Sequence, residues 1–284
     1  MFELVHAERE NYPVAFACSV LGVSRSGYYR WTGAKPSRRA LSDAKLSAEV
    51  QEIFGEHKGR YGSPRVHCEL SARGRRVGRK RVARLMRQHG LRGHTPRRFR
   101  RTTDSRHRHR IAPNLLARDF SASAPNKVWA GDITYVPTLE GWLFLAILLD
   151  LFSRRVVGWA MSDRIDTELA LKALEKAQSQ RPTSAGLIHH TDRDTRYASD
   201  DYQRALRAAG MEPSMSGKAD YWDNAVSESF FATLEKELLA AGPLQRRRET
   251  RIAVAEYIDH YYNDVRRHSY LDYASPVEFE LAAS

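Results

Sequence analysis

Asp132 lies inside the run VWAGDITYVPT, Asp192 closes the run GLIHHTD, and Glu228 stands within NAVSESFFATLEKELL. An ionised carboxylate inside a buried strand costs several kcal/mol unless it is hydrogen-bonded or bound to metal, so Asp132 requires compensation. Asp192 ends its strand, the position at which α/β sheets usually present functional groups. On a helix whose apolar stripe is Val226, Phe230, Leu234 and Leu238, Glu228 lies about 200° from Phe230 and projects off the core side, sharing a face with Asn224. Three carboxylates on two strands and a facing helix can converge on hard divalent cations, Mg²⁺ or Mn²⁺. Two such ions about 4 Å apart would activate an attacking oxygen and stabilise the leaving oxygen of a phosphodiester. On spacing alone, helix caps and surface carboxylates remain the competing account of all three residues.

The elements that must carry these side chains follow from hydrophobic period and turn residues. KVWAGDITYVPT, GWLFLAILLDL and RRVVGWAMS read as three strands in meander, with TLEG and DLFS as the turns. DTELALKALEKAQSQ is an amphipathic helix capped by Asp166 or Thr167, with Leu169, Leu171, Ala173 and Leu174 inward. GLIHHTD is a fourth strand, DDYQRALRAAG a helix, MEPSM a fifth strand, and the segment bearing Glu228 a further helix. Three antiparallel strands followed by alternating helix and strand predict an α/β mixed sheet. Asp150 fits best as the residue that starts the DLFS turn. His190 either touches metal or phosphate or is a hydrogen-bonded core imidazole. Asp223 and Asn224 are expected to cap the helix that holds Glu228, and Trp222 to pack rather than stack on a base.

Charge separates the chain into two parts. Of 284 residues with net charge +12, residues 1–118 carry 27 Lys/Arg against 9 Asp/Glu, and residues 119–284 carry 19 against 25. A basic front joined to a slightly acidic back suggests a polyanion-binding part attached to a part whose carboxylates do something else. Within the front, YPVAFACSVLGVSRSGYYRW has helical apolar spacing from Val14 to Leu21, Gly22 as a stop and Ser24 as a cap, which is a helix-turn-helix pattern. Arg25, Ser26, Tyr28, Tyr29 and Arg30 fall on its second helix. SPRVHCELSARG, with Ser63 capping and Pro64 in the first turn, and GRKRVARLMRQHG form a second helical pair. Val82, Leu85 and Met86 make a stripe ringed by Arg79, Lys80, Arg81, Arg84 and Arg87, an arrangement suited to phosphate. RGHTPRRFRRTTDSRHRHR cannot bury a core and reads as a basic linker that orders on a DNA backbone. The expected nucleic-acid contacts are Arg25, Arg30, Arg79, Lys80, Arg84, Arg97, Arg98, Arg100, Arg101 and Lys218. Cys18 and Cys68, far apart and without a C-x-x-C partner, indicate neither a disulfide framework nor structural zinc. With no apolar run of membrane-spanning length and no signal segment, a cytoplasmic, nucleoid-associated protein is expected.

In VWAGDITYVPT, GWLFLAILLDLFSRRVVGWAM, HTDR…YAS and WDNAVSESFFATL the chain closely resembles the integrase-type transposases of the IS3 insertion-sequence family. Asp192 and Glu228 are separated by 35 residues, the interval of the family's D,D,35-E triad, and Asp132, Asp192 and Glu228 match that triad residue by residue. LGVSRSGYYRW, RYGSPRVHCEL and RVARLMRQHGLRG resemble the family's N-terminal helix-turn-helix regions, and YNDVRRHSYLDYASPVEFE its C-terminal segment. The resemblance implies an RNase H-like core using two Mg²⁺ ions to nick transposon ends, at their terminal inverted repeats, and to join the freed 3′-OH to target DNA. It further implies a homo-oligomer on DNA, with an upstream-frame product as partner or fusion. Three regions are expected: 1–45 helix-turn-helix, 46–112 second helix-turn-helix with the Arg-rich linker, and 120–284 catalytic core with a C-terminal helical extension. The competing function is a catalytically impaired DNA-binding protein acting as repressor or competitor at transposon ends.

The chain departs from the family pattern at three places. Asp194, Thr195 and Arg196 stand where Gly-Ser-Gln is usual; aspartate can adopt the left-handed conformation a glycine often occupies, and Asp194 adds negative charge beside the metal site. Gly217 replaces a frequent Arg. Glu235 replaces a frequent Lys on the Glu228 face and would repel phosphate, with Lys236 pointing about 100° away.

Overall fold

The computed structural model describes residues 1–33, 35–94, 110–181, 183, 185–217, 224–239 and 245–283. Arg97, Arg98, Arg100, Arg101, Lys218, Trp222 and Asp223, and with them most of the basic linker, lie outside the described residues. The remainder is built around one five-stranded sheet and a separate set of N-terminal helices.

Strands β1 (Val128–Thr138), β2 (Gly141–Asp150) and β3 (Val156–Ser162) form the meander expected from their β-branched and aromatic content. β4 (Ile188–Thr191) and β5 (Glu212–Met215) extend it, giving the order β3-β2-β1-β4-β5. β1 pairs antiparallel with β2 and parallel with β4, and β5 runs parallel to β4, so the sheet is mixed as predicted.

Both faces of the sheet are covered, which explains why β2 is apolar almost throughout rather than alternating. On one face Trp129, Ile133 and Leu148 pack against α7 (Thr167–Gln180) and α9 (Asp200–Ala208). Asp166 caps α7, accepting from the Leu169 amide at 3.0 Å, and the buried stripe is Leu169, Ala170, Ala173, Leu174 and Ala177, with the expected Leu171 only half-buried. The small residues matter: a Cβ on Gly158 of β3 would stand 2.3 Å from the Ala173 carbonyl, so this helix approaches the sheet as closely as glycine permits. On the opposite face Val136, Leu145, Ile147 and Leu149 pack against α10 (Ala225–Glu237) and α11 (Arg247–Glu256), together with the π-helical turn Tyr257–Val265 that continues α11. Each fully buried Leu, Ile or Phe there contributes about 1.5–3 kcal/mol.

α10 is rotated slightly from its expected setting. Its buried residues are Ser227, Phe230, Phe231, Leu234 and Glu237, while Val226 and Leu238 are half-buried. The N-terminal core also contains helices that periodicity did not single out. α1 (Phe2–Ala7) packs with α2 (Val14–Val20) and α3 (Arg25–Thr32) around Val5, Cys18 and Tyr28. Gly22 stops α2 in the left-handed region at φ +63°, and Ser24 caps α3 by accepting from the Gly27 amide at 3.0 Å. α4 (Arg38–Glu56) runs straight through residues 45 and 46. α5 (Ser63–Ala72) is capped by Gly62 without a side-chain bond, which places Ser63 inside the helix, and α6 (Arg79–Gln88) follows. α4, α5 and α6 share a core of Val50, Ile53, Val66, Leu70, Val82, Leu85 and Met86. Cys18 is buried, Cys68 half-buried, and both are free.

Residues ahead of 120 also pack on the sheet. Ile111 and Ala112 pack on the sheet, Leu116 is buried against Ala130 and Leu151, and the Leu115 amide donates to Ser214 Oγ at 2.9 Å. No described helix is long and apolar enough to cross a membrane.

Candidate active site

Register brings the first two acids together. β1 and β4 are parallel neighbours with Gly131 opposite Thr191, and Asp132 and Asp192 each follow that pair by one residue. Adjacent strands lie about 4.8 Å apart, so the two carboxylates rise side by side. Along β1, Asp132 alternates with Trp129 and Ile133 and shares its face with Val136, the face that α10 covers. Glu228 is in the first turn of α10 and exposed, off the core side as its helical angle requires. There its charge also meets the positive end of the helix dipole.

The electrostatics of Asp132 record the convergence. Its carboxyl is pushed well above the ordinary aspartate range, first by burial, then by the negative charge of Asp192, with smaller contributions of the same sign from Glu228 and Asp194. The Ile133 amide, donating to Asp132 Oδ1 at 2.7 Å, works in the opposite direction. Asp192 Oδ1 accepts from the Asp194 amide at 3.1 Å, an Asx-type turn that fixes the strand end. Like charges gathered at this density, with oxygen as the only donor atom, fit a hard divalent cation. Among the described residues no group of three His, Cys, Asp or Glu side chains is already closed around one point, so the acids stand as neighbours rather than as a finished cage.

The surrounding residues take up structural duties. Asp194 does not occupy the left-handed region: its φ is −72°, and it caps the short helix α8 (Thr195–Ala198) by accepting from the Arg196 amide at 2.9 Å while pairing with the Arg196 guanidinium. An extended cap suits aspartate, so the turn needs no glycine, and Arg196 offsets the added charge. His190 Nδ1 shares a hydrogen bond with Ser214 Oγ at 2.8 Å in full burial, which places it as a core imidazole. Asp150 is buried at the other end of the sheet, accepting from the amides of Asn126 (2.7 Å) and Phe152 (2.8 Å) and pairing with Arg181; it builds the turn and not the site. Asn224 occupies the cap position of α10 without a side-chain capping bond.

Tyr197 escaped the sequence reading. Its hydroxyl is buried without a hydrogen-bond partner among the described residues, and burial, Tyr202 and the nearby charges of Asp132, Asp192 and Asp194 hold it neutral. It is a buried O–H in the core under α8, and only its position three residues beyond Asp194 could have pointed to it.

The expected DNA contacts divide. Arg25 and Arg30 are exposed on α3, as are Arg79, Lys80 and Arg87 on α6, whereas Tyr28 is buried and meets His6. Arg84 and Arg81 are both engaged by Asp43 at 2.7 Å, an ion-pair cluster that ties α6 to α4.

Comparison with known proteins gives a consistent family. A family model described as an integrase core domain matches residues 122–220, a second with the same description matches 209–276, and an HTH-like domain matches 41–99. The chain is 45% identical over 263 residues to the insertion element IS600 uncharacterized 31 kDa protein of Shigella sonnei, covering 92% of this chain and 96% of that one. It is 41% identical to the transposase for insertion sequence element IS904 of Lactococcus lactis, over 87% of this chain and 97% of the other. It is 40% identical to transposase InsF for insertion sequence IS3A of Escherichia coli, over 98% of each. Among solved structures, the HTLV-2 integrase catalytic core domain in complex with magnesium aligns at a TM-score of 0.42 and 18% identity, over 56% of this chain and 98% of that one.

Proposed function

Because the chain belongs to the insertion-sequence transposases with an integrase core, we propose that Asp132, Asp192 and Glu228 are its catalytic residues, cutting the ends of a mobile DNA element and joining the freed 3′-OH to target DNA. The observation that carries this reading is the parallel register of β1 and β4, which sets Asp132 and Asp192 on neighbouring strands, with Glu228 in the first turn of the helix that covers that face. Two divalent cations, Mg²⁺ or Mn²⁺, would supply activation of the attacking oxygen and charge compensation at the leaving oxygen. The protein's contribution is placement. The sheet fixes Asp132 and Asp192 through backbone amides from Ile133 and Asp194. α10 brings Glu228 over the same face, its angle set by Phe230 and Leu234 in the core. These carboxylates would hold the cations, whose charge the anionic scissile phosphate requires, and phosphoryl transfer depends mainly on such positioning.

Exposed Arg25, Arg30, Arg79 and Lys80 on two helical units support a proposal of end binding through phosphate contacts. Arg84 is left out of that set because Asp43 engages it. A homo-oligomer on the DNA, assisted by an upstream-frame product, belongs to the same proposal. The non-catalytic repressor reading is not favoured, since relatives named as transposases match along most of the chain and all three acids are present beside one another. Joining of a labelled element end to plasmid DNA in Mg²⁺ is the test: joined product from the wild-type chain supports the reading, and end binding with nicking but no joining in any divalent metal would reduce it to a nuclease.

A further inference from the structure

Beside α10, on the stripe next to Glu228, lies a cavity of about 340 Å³ between Ser229 and Thr233 on one side and the loop after the π-helical turn on the other. Three guanidiniums line it, those of Arg65, Arg154 and Arg266, and no carboxylate does. Arg65 and Arg266 are answered by Glu237 at 3.4 and 2.8 Å. Arg154 has no carboxylate partner among the described residues: it donates to the Phe120 carbonyl through Nη2 at 3.3 Å, and Nη1 is buried without a hydrogen bond.

Two further observations mark Arg154. Its backbone is held at φ +60°, a conformation that favours glycine or asparagine, so the turn tolerates strain to place an arginine there. Its guanidinium lies 4.1 Å from the ring centroid of Tyr270, which is 62% exposed, so an aromatic face is kept in water beside a cation. His268, at the back of the cavity, is held neutral, its pKa lowered to about 2 by burial and by the same three arginines, which registers how positive the space is.

We propose that this cavity is a nucleotide subsite of the DNA strand, taking a backbone phosphate on Arg154, with Arg65 and Arg266 behind it, and the adjoining base on Tyr270. The assignment rests on the transposase reading and deepens it: the cavity is lined by Ala225, Val226 and Ser229 of the helix that carries Glu228. A cation paired with an exposed ring is the general chemistry of single-strand binding, tolerant of sequence because every base has a π-face. That is the state of a strand freed at a cut end.

The test uses the full chain in EDTA, so that the carboxylate assignment can fail without affecting it. Affinity for a short fluorescein-labelled oligothymidylate is measured across a salt series for wild type, Arg154→Gln, Arg154→Lys, Tyr270→Ala and Tyr270→Phe. Arg154→Gln and Tyr270→Ala are expected to weaken binding about five- to tenfold. Arg154→Gln should also lower the slope of log K against log salt by about 0.7, the value for one single-strand phosphate contact, which a merely structural arginine would not do. Lys and Phe should restore most of each loss. An oligonucleotide bearing 5-iodouracil should crosslink to Tyr270 in wild type and not in Arg154→Gln. Unchanged affinity and slope in both Arg154→Gln and Tyr270→Ala would overturn the proposal. So would inorganic phosphate binding that depends on Arg154 while oligonucleotide affinity does not, because the cavity would then be a free-anion site.

Discussion

Two acids on facing elements, half-buried Asp132 in the central strand and buried Glu237 at the end of α10, have opposite fates. Asp132 is surrounded by other carboxylates and its carboxyl is driven up. Glu237 is 2% exposed, accepts from Arg266 at 2.8 and 2.9 Å and from Tyr257 at 2.9 Å, faces Arg65 at 3.4 Å, and its carboxyl is driven down despite burial. Arg60 adds a bond to its backbone carbonyl at 3.1 Å. Negative charge set beside negative charge suits a divalent cation; negative charge answered by arginines is a fastening. Here the fastening joins the helix carrying Glu228 to α5 of the DNA-binding part and to the C-terminal segment, so one helix bears a site residue at its start and an anchor at its end.

The largest effect separating the two acids is on activity. Asp132→Asn or Asp192→Asn should reduce end cleavage by at least about 10³-fold while leaving end binding within a few-fold, measured by product formation and by gel shift. Glu237→Gln should instead reduce stability, by about 3–5 kcal/mol in urea unfolding, because two arginines are left buried without their partner. Exchanging Arg79 and Lys80 for Gln should weaken duplex binding and lower its salt slope by about 1.8, at about 0.9 per phosphate contact, without altering either acid's behaviour. Asp132→Asn should raise metal-free stability by about 1 kcal/mol, and Mg²⁺ should raise the melting temperature of wild type but not of this variant.

The smallest effect, and the sharpest contrast, is in pH. Raised in the fold, Asp132 makes the metal-free protein lose stability as pH rises from about 4, the unfolded value, through its elevated folded value. Lowered in the fold, Glu237 contributes stability that is present above about 4.3 and lost as pH falls through its depressed folded value. Urea midpoints measured against pH should therefore diverge between wild type and Asp132→Asn as pH rises, and converge between wild type and Glu237→Gln as pH falls.

What could be read from the sequence depended on range. Asp132 and Asp192 were legible because strand alternation and strand ends are local signals, and Glu228 because its angle to Phe230 is fixed by the helical period. The mixed sheet followed from five short runs and their spacing. Glu237 was not legible: an acid near a helix end normally reads as solvated, and its partners Arg65 and Arg266 lie 172 and 29 residues away. The ion pair of Arg84 was not legible for the same reason, since its partner Asp43 is 41 residues distant on a helix that periodicity did not single out. Asp194 can adopt the left-handed conformation of a glycine, but an aspartate at a helix start has a cheaper course as a cap, the one it takes here.

The most direct measurement is cleavage of labelled element-end DNA in Mn²⁺ by the full chain against Glu228→Gln, since Glu228 is exposed and its replacement leaves the core untouched. The account predicts cut ends from wild type and none from Glu228→Gln at equal DNA occupancy. Equal cleavage by the two proteins would contradict it.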